Sequence, residues 1–120
     1  MKPPYVIAEG AVATEIEGVK LYVIEEGSGA YPTPRSNVTV HYHGMLQDGS
    51  VFDSSFLRGE SITFPLNNLI PGWVVALPKV PVGSKVKLVI PPQLGYGSRP
   101  LPGIPANSVL VFDIELIASS

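Results

Sequence analysis

Along NVTVHYHGML (37–46) the side chains alternate: Val38, Val40, Tyr42 and Leu46 share one face, and Asn37, Thr39, His41 and His43 share the other. A period of two marks a half-buried strand, so Tyr42 is expected on the core side. Asp48-Gly49 then gives the strongest short hairpin signal, because glycine accepts the backbone conformation such turns require. A two-residue turn pairs Leu46 with Val51 and puts Asp53 on the face of Tyr42. A carboxylate facing inward needs a partner. The same alternation predicts strands in SKVKLVI (84–90), with Val86, Leu88 and Ile90 inward, and in VLVFDIELI (109–117), with Leu110, Phe112, Ile114 and Leu116 inward.

Between these lie weaker signals. KLYVIEE (20–26) and SITF (61–64) are β-branched or aromatic enough for strands, and GSGAYPTP (27–34) is a loop. Pro71 suits the first turn of a helix and Pro78 its stop, so PGWVVAL (71–77) is expected to be a helix of about two turns. So short a helix must be held by packing on the sheet. Trp73, Val74 and Val75 follow one another directly, so if Trp73 faces the sheet at least one valine turns outward. Residues 1–18 show no clear periodicity and are expected to form an N-terminal arm, with one domain over 19–120. Antiparallel strands, one short helix and a long Gly/Pro loop define an α+β domain.

Composition narrows the function. A chain of 120 residues that is 45% apolar and 15% charged is globular, and one core suffices. A net charge of −2 without a basic block gives no sign of a nucleic-acid or anionic-membrane partner, and neither is expected. With no cysteine, disulfides and thiolate chemistry are excluded. The longest apolar run, NLIPGWVVALP, is broken by Pro71, Gly72 and Pro78 and is too short to span a bilayer, so no membrane insertion is expected. MKPPYVIAEGAVATE lacks the apolar run of a signal peptide, which leaves a cytoplasmic or periplasmic location open. Proline, at 13 residues, is about twice its usual share. It concentrates in LGYGSRPLPGIP (94–105), where glycines and prolines surround one aromatic, Tyr96.

Four segments, VHYHGMLQDGSVFDSS, TFPLNNLIPGW, PVGSKVKLVIPPQLGYG and PGIPANSVLVFDIEL, occur in order and together resemble the FKBP family. These are macrolide-binding immunophilins with peptidyl-prolyl cis–trans isomerase (rotamase) activity. The resemblance covers roughly residues 18 to 118 and is closest to the bacterial macrophage-infectivity-potentiator (Mip) branch. That branch usually carries a helical N-terminal dimerisation region, which these residues do not contain. The resemblance implies a half barrel, in which a strongly twisted antiparallel sheet of about five strands wraps one short helix. It also implies an apolar pocket between helix and sheet. Tyr42, Phe52, Asp53, Leu69, Ile70, Trp73, Tyr96 and Phe112 match the family's pocket residues, with Trp73 as the floor and Ile104 closing the rim. Strict alternation puts Phe52 and Asp53 on opposite faces, so a bulge or strong twist near Asp53 is needed for both to line the pocket.

The implied roles are as follows. Asp53, Tyr96, Tyr42 and Phe52 carry the catalysis. Leu69, Ile70, Trp73, Ile104, Phe112 and Arg58 bind substrate or ligand. Asp53 faces the twisted carbonyl carbon or orients Tyr42 and Arg58, and an Asp–Arg pair offsets the cost of burying the carboxylate. Tyr96 points its hydroxyl at a substrate carbonyl, and the Ile70 amide is a second donor. Implied partners are proline-containing peptides, unfolded proteins, and macrolides such as tacrolimus and rapamycin, with protein folding or chaperoning as the setting. No cofactor and no metal is implied. His41 and His43, at i and i+2, read as a solvated face rather than a metal pair, and Lys85 and Lys87 as the outer face of a strand. Leu101, and Val74 with Val75, depart from the family's more polar residues at those places. The alternative reading is a non-catalytic chaperone or proline-peptide binding module.

Overall fold

The computed structural model describes residues 2–120. Seven strands form one antiparallel sheet: β1 (Thr14–Ile16), β2 (Val19–Glu25), β3 (Asn37–Leu46), β4 (Val51–Ser54), β5 (Ile62–Pro65), β6 (Lys85–Ile90) and β7 (Leu110–Ser119). The order across the sheet is β1-β2-β6-β7-β3-β4, and β5 also pairs with β3. The fold class is therefore the expected one, with more strand segments than the five implied.

The inner face is built by alternation. Val38, Val40, Val86, Leu88, Ile90, Leu110, Ile114 and Leu116 are all fully buried. Against them packs α2 (Pro71–Ala76), with Trp73 and Ala76 buried and Leu77 at its end. Pro71 stands in the first turn, where its missing N–H costs nothing, and the chain leaves the helix through a 3-10 turn containing Pro78. Gly72 lets the helix lie close on β6: a Cβ there would meet Ile90 Cγ2 at 2.6 Å. Val74 and Val75 are both half-buried, so neither is turned fully outward as the helical step predicts. Two neighbouring valines share the edge of the apolar stripe instead.

Four expectations are corrected. The hairpin between β3 and β4 has three loop residues, Gln47 to Gly49, closed by Leu46 N–H donating to Ser50 O at 2.9 Å. Gly49 takes φ 91°, the conformation that favours glycine. Met45, not Leu46, pairs with Val51, while Gly44 pairs with Asp53, so Phe52 is the extra residue of the bulge expected near Asp53. Second, a further helix, α1 (Ser55–Arg58), follows β4 directly. It fills the gap on the edge of β3 where β4 ends at His43 and β5 begins at Val40. Third, the outer face is not simply solvated: His43 is buried against Ser54 and Lys87 is buried against the fully buried Asp113. Fourth, residues 1–18, expected only as an N-terminal arm without periodicity, supply β1 and also bury Tyr5, whose N–H donates to Asp113 Oδ2 at 2.9 Å. Periodicity missed these because a short edge strand and a covering segment bury single residues rather than a stripe. No described helix is long and apolar enough to cross a membrane.

Candidate active site

Between α2 and the inner sheet face lies a cavity of about 300 Å³. Aromatic rings make most of its wall: Tyr42 from β3, Phe52 from the bulge, Trp73 from α2 and Phe112 from β7. They meet edge to face. Trp73 lies 5.2 Å from Phe112 and 5.8 Å from Tyr42 between ring centroids, and Phe52 lies 5.5 Å from Phe112. Such arrangements suit the ring quadrupoles and fix each ring against the next. Trp73 is only 4% exposed, as a floor must be. Gly44 makes the Phe52 position possible, because a Cβ there would lie 2.7 Å from Phe52 Cζ and 2.9 Å from Phe112 Cε1.

Leu69 and Ile70, half-buried just before α2, complete the apolar lining. Phe64 and Asn68 also line the cavity, and neither was expected from the sequence. Phe64 leans on Tyr42 at 6.2 Å from the adjacent β5, a contact that pairing of β5 with β3 creates and that no local pattern reveals. Ile104 is buried in the core cluster but does not line the cavity, contrary to expectation. Leu101 and Ile104 exchange hydrogen bonds of 2.9 Å, and this tight turn draws Ile104 under the loop.

At one end of the cavity stands the polar group of the site. Tyr42 OH donates to Asp53 Oδ2 at 2.5 Å. Arg58 donates through Nη1 to Asp53 Oδ1 and through Nη2 to Tyr42 OH at 3.0 Å, with its guanidinium 5.7 Å from the Tyr42 ring centre. The side chains of Asp53 and Arg58 are 44% and 45% exposed, so this pair sits at the rim and not in a dry interior. Desolvation raises the Asp53 carboxyl, but hydrogen bonds from Tyr42 and Arg58 and the guanidinium charge outweigh it and hold the group below its usual range. Burial, followed by the bond to Asp53, raises the Tyr42 phenol.

Tyr96 lines the cavity from the Gly/Pro loop and is 36% exposed. The loop is fixed from both sides. Gly97, at φ 60°, donates to Pro92 O at 2.8 Å and accepts from Asn107 N–H at 2.8 Å, while Gly95 presses on Leu110. Burial and the nearby Asp53 charge raise the Tyr96 phenol, so at neutral pH it is an intact O–H donor. Of the ten expected residues, eight line the cavity, Arg58 clamps two of them, and Ile104 stands behind.

Residues 29–117 match the family described as FKBP-type peptidyl-prolyl cis-trans isomerase. The chain is 48% identical over 109 residues to FkpA of Escherichia coli K12, an FKBP-type peptidyl-prolyl cis-trans isomerase, covering 91% of this chain and 40% of that one. It is 51% identical over 110 residues to the FKBP-type 22 kDa peptidyl-prolyl cis-trans isomerase of the same strain, covering 91% of this chain and 53% of the relative. The crystal structure of Escherichia coli FkpA superposes with a TM-score of 0.88 at 46% identity, over 93% of this chain and 53% of that one. A peptidyl-prolyl cis–trans isomerase from Pseudomonas syringae superposes at 0.85 and 37% identity, over 90% of this chain and 80% of that one. The chain belongs to the FKBP-type peptidyl-prolyl cis–trans isomerase family. It spans about half or less of the length of these two curated relatives.

Proposed function

We propose that this chain catalyses cis–trans isomerisation of X–Pro bonds in unfolded or flexible polypeptides, using solvation and positioning in place of covalent or acid–base chemistry. The observation that carries this reading is an aromatic box whose one carboxyl group has both oxygens already engaged, one by Tyr42 and one by Arg58. A carboxylate so held is a poor base at neutral pH. Tyr42 and Tyr96 both keep their protons there.

The reaction itself needs neither acid nor base. Rotation about an X–Pro amide faces a barrier of about 18–20 kcal/mol, because resonance must be broken. The twisted amide has less separated charge than the planar one, so water favours the ground state. A site that replaces water with aromatic surface favours the twisted form. Phe52, Trp73 and Phe112 hold the prolyl ring, and Leu69 and Ile70 close its side. Tyr96 O–H and the Ile70 amide, which have no partner among the described residues, donate to carbonyls of the substrate. Asp53, oriented by Tyr42 and Arg58, faces the carbonyl carbon of the twisting amide. A rate gain of about 10⁴ requires about 5.5 kcal/mol, which differential solvation and orientation can supply together. The same apolar cavity suits a macrolide such as tacrolimus.

A protease-coupled proline-peptide assay, run with and without tacrolimus, tests this. Turnover blocked by the macrolide is expected, with kcat/KM nearly flat between about pH 6 and 8. Peptide binding without turnover would favour the non-catalytic module. A bell-shaped profile would reinstate a proton-transferring group.

A further inference from the structure

Arg58, which clamps Asp53 and Tyr42, is the last residue of α1, a helix of only four residues. A helix that short has no stability of its own, so something outside it must fix its position. Ser54 and Ser55 do part of this at the N-terminal end. Ser54 Oγ caps the helix by accepting from Leu57 N–H at 3.2 Å, and Ser55 Oγ accepts from Tyr42 N–H at 2.7 Å where no neighbouring strand reaches. The Ser55 carbonyl closes the far end of the turn by accepting from Gly59 N–H at 2.9 Å, but neither serine side chain reaches the end that carries Arg58. Leu57 is 75% exposed and anchors nothing.

Phe56 is the remaining anchor. Its ring stacks on His41 at 4.6 Å and 22°, on the sheet face opposite the cavity, and Tyr5 meets it edge-on at 6.5 Å and 83°. Tyr5 is only 3% exposed, and its backbone N–H is fixed by Asp113, whose carboxylate pairs with Lys87 at 2.8 Å. Asp113 follows Phe112 directly, so one strand presents a cavity wall on one face and the Tyr5 anchor on the other. A continuous set of contacts therefore runs from the N-terminal segment through Phe56 to the residue that organises the rim of the cavity.

We propose that Tyr5 and Phe56 are positioning residues for the isomerase site: from the back of the sheet they hold α1 so that the Arg58 fork reaches Asp53 and Tyr42. This rests on the isomerase reading for its effect on turnover, but the effect on Asp53 is independent of it. The ring of Tyr5, not its hydroxyl, is the working part, since that hydroxyl is buried and has no partner among the described residues. Tyr5→Ala removes the contact and frees α1, Tyr5→Phe keeps it, and Phe56→Ala removes it from the other side.

The carboxyl titration of Asp53, followed by carbon NMR well below the melting temperature, reads the clamp directly. In Tyr5→Ala and Phe56→Ala it is expected to move up toward its ordinary 3.8, and kcat/KM for a proline peptide to fall about tenfold. Tyr5→Phe should restore both. Val19→Ala, which opens the fully buried core elsewhere, should lower the melting temperature and leave the Asp53 titration in place. An unmoved Asp53 titration in folded Tyr5→Ala or Phe56→Ala overturns the proposal, as does a moved titration with parental kcat/KM. If the parent chain itself does not isomerise peptides, the functional reading fails while the titration still decides whether Tyr5 and Phe56 hold the clamp.

Discussion

Asp53 receives opposing influences: partial burial works against its charge, while a phenol and a guanidinium favour it. The favourable side wins, yet at 44% exposure the ion pair is screened and contributes about 1 kcal/mol or less to stability. Function and stability can therefore be separated at this residue. Asp53→Val is expected to fold with a urea midpoint close to the parent's and to lose tenfold or more in kcat/KM, by about the free energy of one lost orienting contact. Parental turnover in a folded Asp53→Val variant would remove the carboxylate from the mechanism. The pairing of Asp53 with Tyr42 was legible from the strand period, because both fall on the inward face of adjacent strands. Its degree of exposure was not legible, since depth within a rim depends on the loop and helix that surround it. The same holds for Ile104, whose apolar character is plain but whose place behind the cavity is set by the turn to Leu101.

Among the elements, β3 and β7 were readable because ten-residue strands carry several repeats of the pattern. The two-residue turn expected between β3 and β4 is not the one formed, and the bulge expected near Asp53 compensates for the difference. The loop is one residue longer and the bulge adds one residue to β4, so Asp53 opposes Gly44 in either count. The bulge turns Phe52 inward, as shared pocket membership of Phe52 and Asp53 requires, and puts two consecutive residues into one wall. α1 was hidden because four residues carry no periodicity. The bulge works only while Gly44 lacks a side chain. Gly44→Ala places a methyl group 2.7 Å from Phe52 Cζ, so the ring must move out of the wall. A loss of about 1–3 kcal/mol in urea unfolding is expected, as for other overpacked sites, with a marked fall in peptide turnover. A variant as stable and as active as the parent would mean that Phe52 has room to shift and that its position in the wall is unimportant.

Across the whole molecule the two faces of the sheet differ in chemistry. The inner face is apolar and carries the cavity, while the outer face buries a polar cluster of His43, Ser54, Lys87 and Asp113 under the N-terminal segment. This second buried layer links stability to pH. Desolvation holds the His43 imidazole below its ordinary 6.5, with Lys87 acting in the same direction and Asp113 opposing. At neutral pH the folded ring is neutral, and its Nδ1 bonds to Ser54 Oγ at 2.7 Å. Between the folded pKa and 6.5 the unfolded chain binds more protons than the folded one, so stability falls as pH drops through that window. The slope for this one site is at most about 1.4 kcal/mol per pH unit. A second loss follows below 3.8 as Asp53 takes up a proton and the clamp on Arg58 opens. Urea midpoints taken from pH 7 down to pH 3 should show both steps, and His43→Gln should abolish the first while leaving the second. A flat or rising midpoint between pH 6.5 and 5, or the same fall in His43→Gln, would show that the outer cluster admits a proton at no cost to the fold.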